Sequence, residues 1–209
     1  MDKRIKDSLM DLYSGASIYD RLYIKARLRL LDINRYAQVL PTHGVLIDIG
    51  CSRGALANYL ALSLPDTQVI GIDTDHKRIE VASKTIGERK NISFFTQDAT
   101  TWAIPPCNGV VMTAFLHHIP RVTQEAILRK VFDSLEKGGV LLISEVDASA
   151  KPFYKYWSSY LSDIVLYFSR SSFRKAEEWN DLLFDIGFRV EAIKPPSLLF
   201  AQLLCICKK

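Results

Sequence analysis

Short apolar runs recur along this chain, and each is followed by a glycine or an acid and then by a segment whose apolar positions lie three and four residues apart. Residues 45–49 are apolar except for Asp48, the pattern of a strand buried on both faces. Gly50 and Gly54 then bracket a tight turn, and residues 55–64 carry Leu56, Tyr59, Leu60 and Leu64 on one helical face. The cycle repeats: strand 68–73, helix 74–86 through Ile79, Ala82 and Ile86, strand 91–98, strand 109–114, helix 123–135, and strand 140–144. Strands alternating with helices predict an α/β fold, a doubly wound, mostly parallel sheet with helices on both faces.

The flanks differ from this core. Residues 3–40 read as two helices broken near 14–17, with Ser17 as N-cap of the second. In that second helix Leu22, Ala26, Leu30 and Ile33 form the expected apolar stripe, with Arg21, Lys25, Arg27 and Arg35 largely off it. A basic amphipathic helix suits a membrane surface, a cover over an active site, or simple packing against the sheet with a solvated outer face. At the other end, helix 179–186 stops at Gly187, and residues 188–194 and 198–207 read as two more strands, an antiparallel hairpin completing seven. Between them residues 148–175 are rich in aromatics (Phe153, Tyr154, Tyr156, Trp157, Tyr160, Tyr167, Phe168, Phe173), and we read them as an inserted helical cap.

Composition narrows the class without choosing a function. At 209 residues the chain is most simply one domain: helical extension 1–43, core 44–147, cap 148–178, and closing helix and hairpin 179–209. A net charge of +4 with basic residues spread along the chain points to no nucleic-acid partner. The four cysteines lack zinc spacing, and Cys205 and Cys207 share one strand face, so no metal site is expected. No apolar run approaches the ~20 residues that span a bilayer, so contact with a membrane would be peripheral. The N-terminus has no signal-peptide core, and the default compartment is the cytoplasm.

The chemistry gathers at the strand ends. A strand, a glycine turn and a helix N-terminus offer backbone N–H groups to the negative end of a ligand. A dinucleotide turn asks for G-x-G-x-x-G/A, yet Ser52 occupies its second glycine and Asp48 would repel a pyrophosphate. Asp48, Gly50, Ser52 and Gly54 instead fall on D-x-G-x-G-x-G, with serine at the middle glycine, and this turn resembles the signature of class I S-adenosylmethionine-dependent methyltransferases. Asp73, at the end of the second strand and 25 positions after Asp48, and Asp98, at the end of the third, continue the resemblance. So do the Leu-His-His-Ile-Pro run ending at Pro120 and the Lys-Gly-Gly run ending at Gly139.

The resemblance implies S-adenosyl-L-methionine as cofactor. Asp48, Gly50, Cys51, Ser52 and Gly54 would form its turn, Asp73 and Thr74 would meet the ribose, Asp98 and Ala99 the adenine, and Ala114 is a further cofactor-binding candidate. His117 and His118, in the loop after the fourth strand, are candidate bases, with Glu145 and Asp147 on the neighbouring strand end. The aromatic cap points to a small apolar or aromatic acceptor, lipid-like, polyketide-like or phenolic. The rivals are a nicotinamide oxidoreductase, an RNA methyltransferase, and a non-catalytic methyltransferase-like subunit that binds a partner.

Overall fold

The computed structural model describes residues 3–31, 33–149, 172–194 and 202–209. Its helices are α1 (Lys3–Asp11), α2 (Ile18–Leu30), α3 (Ile33–Val39), α4 (Ala55–Ser63), α5 (His76–Ser83), α6 (Arg121–Ser134) and α7 (Ala176–Ile186), with a 3₁₀ turn at Leu116–His118. The strands are β1 (Gly44–Ile49), β2 (Thr67–Asp73), β3 (Ile92–Thr96), β4 (Cys107–Thr113), β5 (Leu135–Val146), β6 (Arg189–Lys194) and β7 (Gln202–Lys208). They form one seven-stranded sheet in the order β3-β2-β1-β4-β5-β7-β6. The first five strands run parallel, and β7 pairs antiparallel with both β5 and β6.

Side chains alternate across each strand, and this divides the interior in two. Leu46, Val111, Leu142, Leu204 and Ile206 face the core beneath α1 to α5. Ile47, Ile49, Val110, Met112, Leu141, Ile143, Cys205 and Cys207 face the core beneath α6 and α7. The expected doubly wound sheet and the shared face of the two cysteines are both observed. Because β1 lies between β2 and β4, the order reverses there, and the carboxyl ends of β1 and β4 flank the crevice that such sheets use for ligands.

Several boundaries move for physical reasons. The N-terminal segment makes three helices, because Leu31 turns extended (φ −93°, ψ 136°) and ends α2 before Ile33 starts α3. Ser17 is the N-cap, its hydroxyl accepting from Asp20 N at 3.1 Å. Helix α4 is buried on every side rather than on one face, since α1, α2 and α3 all pack over it. The expected stripe of α2 is corrected: Leu22 is 60% exposed and Ala26 is exposed, the fully buried residue is Ile24 with Tyr23 and Arg27 half-buried beside it, and Ile33 is buried but in α3. Strand β5 starts five residues early, pairing Leu135 with Cys107 across an irregularity. Strand β3 ends at Thr96, leaving Asp98 beyond it, and the predicted aromatic cap falls largely at 150–171, outside the described residues.

Candidate functional site

The turn after β1 is built by backbone that ordinary residues resist. Gly50 and Gly54 have φ of 76° and 75°, and a Cβ on Gly50 would meet the Phe115 ring at 2.6 Å. Among the described residues only Ser52 (φ 52°) and Ala114 (φ 46°) hold positive φ without being glycine. Both sit on this edge, one after β1 and one after β4. Residues held in left-handed backbone concentrate at functional sites.

The N–H row expected of the turn is partly committed to the protein. The Gly50 and Cys51 amides donate to Ile72 O at 2.8 and 2.9 Å, and the Ser52 amide donates to Asp73 Oδ2 at 2.9 Å. What the turn does present is Asp48. This carboxylate is 1% exposed, and neither oxygen has a hydrogen-bond partner. Burial pushes its pKa up to about 7; Arg27 opposes the rise, Asp73 adds to it, and the Ala57 backbone opposes it slightly.

Helix α2 lies across this slot. From it the Arg27 guanidinium donates to Thr113 O at 2.5 Å and Thr113 Oγ1 at 2.8 Å, bridging to the end of β4. The Tyr23 hydroxyl meets Ser52 Oγ at 3.2 Å. Burial alone would raise the Tyr23 pKa, but Arg27, the Ser52 contact, Arg78 and Arg53 outweigh it and bring it below the usual phenol value. Arg53 pairs with Asp20 and lies over the Tyr23 ring at 4.5 Å. With α2 in place, the cavity among Tyr23, Arg27, Asp48, Ser52 and Thr113 holds only about 10 Å³.

Arg27, expected largely off the covered face, turns inward, and Tyr23, which the linear pattern does not single out, joins it. Asp20, Tyr23 and Arg27 recur at helical spacing on one arc, a polar stripe that was available as a signal. Only the docking of α2 shows that this stripe faces inward.

The other strand-end residues take distinct parts. Asp73 braces the turn, its Oδ1 accepting from Asp75 N at 2.9 Å while Oδ2 holds Ser52. Thr74 is exposed beside it. Asp98 is exposed and accepts from Thr100 N at 2.8 Å and Thr100 Oγ1 at 2.7 Å, bonds that hold its pKa below the ordinary carboxyl value. Ala99 is buried, and Ala114 N donates to Ser144 O at 2.8 Å. Cys51 is buried, and burial raises its thiol pKa well above normal.

The two histidines separate. His117 is 2% exposed and its Nδ1 is hydrogen-bonded to Glu145 Oε2. Glu145 Oε1 accepts from the Phe115 and Leu116 amides at 2.8 and 2.7 Å. Burial would raise the Glu145 pKa, but His117 and these amides reverse that and hold it low. The Phe173 ring stacks on His117 at 5.2 Å, whereas His118 is only half buried. Among the described residues no cluster of His, Cys, Asp and Glu could hold a metal.

A doubly wound sheet with a glycine turn and an unpaired acid at its switch point defines a nucleotide-type cofactor site. Comparison with known proteins makes the class specific. A methyltransferase-domain model matches residues 17–193. The chain is 28% identical over 139 residues to carboxy-S-adenosyl-L-methionine synthase of Campylobacter jejuni subsp. doylei, covering 63% of this chain and 59% of that protein. It is 30% identical over 110 residues to trans-aconitate 2-methyltransferase of Methylobacterium radiotolerans, covering 52% and 40%. The O-methyltransferase family 2 protein of Planctomyces limnophilus, solved with apigenin, shares the fold at 19% identity and a TM-score of 0.74, covering 97% of this chain and 64% of that one.

The chain belongs to the methyltransferase-domain family, and S-adenosylmethionine is the cofactor this membership carries. It spans about three-fifths of the length of the curated synthase. The residues present fit that cofactor. The buried, unpartnered Asp48 carboxylate suits an ammonium group, the Gly50 backbone leaves no Cβ in the turn, and the same carboxylate would repel a pyrophosphate.

Proposed function

We propose that this protein transfers a methyl group from S-adenosylmethionine to a small apolar or aromatic acceptor. The observation that carries the reading is Asp48, a buried carboxylate with no internal partner at the mouth of a glycine turn. Such a group is costly unless a cation meets it, and the methionine ammonium is that cation. In this reading Asp73 and Thr74 bind the ribose, and Asp98 with Ala99 the adenine. A ligand of this size needs a pocket of about 300–1,000 Å³, so the Arg27–Thr113 and Tyr23–Ser52 contacts of α2 give way on binding.

When bound, the cofactor supplies an activated methyl group on a sulfonium. The protein's part is to align an acceptor lone pair with that carbon and to take the proton an acceptor hydroxyl releases. We assign the proton to His117 rather than His118, because the buried Glu145 carboxylate fixes the His117 ring through Nδ1 in the loop after β4, whereas His118 is half buried. The aromatic content of residues 153–168 supports an apolar acceptor.

Calorimetric titration with S-adenosylmethionine, S-adenosylhomocysteine and NAD tests the cofactor: micromolar binding of the first two and none of the third is expected. Binding of NAD alone, or of nothing by folded protein, would overturn the reading. The His117→Asn variant should keep cofactor affinity and lose turnover on a hydroxyl acceptor. A second reading, favoured by the C. jejuni relatives, is that the chain carboxylates the cofactor itself; mass spectrometry of the cofactor after incubation would separate the two.

A further inference from the structure

Helix α2 buries Ile24 completely in the core but shares that inner side with polar groups. Its inner arc carries Asp20, Tyr23 and Arg27, all engaged at the glycine turn or β4. Its outer arc exposes Ile18 (77%), Tyr19 (63%) and Leu22 (60%), with Ala26 also exposed. Arg21, Lys25 and Arg29 lie on the same outer arc and are exposed as well. Four-residue spacing makes these two adjacent rows, Ile18–Leu22–Ala26 and Arg21–Lys25–Arg29, running along one face. The acid of this helix, Asp20, points the other way into its pair with Arg53. Among the described residues no side-chain hydrogen bond or ion pair engages Arg21, Lys25 or Arg29.

We propose that the outer face of α2 docks on an anionic lipid surface. A cationic row beside an apolar row matches a bilayer interface, where lipid phosphates lie just above the acyl chains and long basic side chains reach up to them. A nucleic-acid backbone would satisfy the cations but leave Ile18 and Leu22 in water. At 13 residues the helix is about 20 Å long, a length that lies along an interface, and no described helix is long and apolar enough to cross a membrane. Because the opposite arc touches the glycine turn, docking would bring the cofactor slot within about one helix diameter, ~10 Å, of the lipid. The proposal stands on this face alone and requires neither cofactor nor turnover.

The test is flotation of the full chain with phosphatidylcholine vesicles, with and without phosphatidylglycerol. Binding only to the anionic vesicles, reversed by high salt, is expected. R21E/K25E/R29E should weaken binding by at least about tenfold, because basic side chains near such a surface are attracted to it. I18S/L22S should also weaken it while retaining the wild-type circular dichroism and the wild-type S-adenosylmethionine titration. Three results would overturn the proposal. One is no flotation of folded wild-type protein with anionic vesicles. Another is undiminished binding by the charge-reversed variant. The third is a solution dimer that I18S/L22S dissociates, which would assign the face to a second copy of the chain.

Discussion

Two carboxylates sit at the carboxyl edge of the sheet, Asp48 on β1 and Glu145 on β5, each 1% exposed. Equal burial has opposite consequences. Glu145 is met by His117 and by the amides of Phe115 and Leu116, and its pKa is held low. Asp48 is met by no hydrogen-bond donor, and its pKa is pushed up to about 7. Under the proposed function the difference assigns Glu145 to the fold and Asp48 to the ligand. Glu145 is satisfied from within and fixes the loop that carries the candidate base. Asp48 costs the folded chain stability whenever it is ionised, a cost that a bound cation offsets.

The strongest way to break this contrast is Glu145→Ala. It strips two buried amides and a buried imidazole of their acceptor, and should cost roughly 3–5 kcal/mol in urea unfolding. A loss well under 1 kcal/mol would show that the amides find other partners.

Asp48→Asn should act the other way. We expect S-adenosylmethionine affinity to fall about 100-fold in calorimetry, in line with loss of a charge-assisted hydrogen bond, while unfolding at pH 8 shows a gain of roughly 1–3 kcal/mol. The sign follows from the raised pKa. The contribution of Asp48 to stability is fully present below its unfolded pKa near 3.8 and is lost as pH rises through about 7, so removing the charge helps most above 7. A variant that loses stability at pH 8 would mean the carboxylate is paired after all.

The same pKa predicts the smallest effect. Cofactor affinity should weaken by up to about tenfold per pH unit below 7 and level off above it, because the ammonium binds the ionised form. Arg27→Met removes the cation that opposes the rise, and should move that turning point upward by roughly one pH unit. An unmoved turning point would place the Arg27 charge away from Asp48 in solution.

The repeating pattern of apolar runs was enough to read the parallel core, because a strand covered on both faces must be apolar at nearly every position. Gly50, Gly54, Asp48 and Asp73 were legible for a related reason: left-handed backbone favours glycine, and an acid at the end of a buried strand is rare enough to notice. The role of Asp73 was only half visible. Its carboxylate is already bonded to the Ser52 and Asp75 amides, an arrangement set by how β2 meets the turn.

The orientation of α2 was misread. Leu22 and Ala26 belong inside by hydrophobicity alone, and the spacing of Asp20, Tyr23 and Arg27 marks a polar arc without saying that this arc, together with Ile24, faces inward. Local sequence determined the elements, their order and the cofactor class, since periodicity and turn chemistry act over a few residues. Tertiary structure alone decided that Asp48 is left unpaired while Glu145 is satisfied, and that α2 turns its polar arc to the slot. Those outcomes depend on donors and rings supplied from 28 to 86 positions away in the chain, at the Glu145–His117 and Arg27–Thr113 contacts, and only folding brings them together.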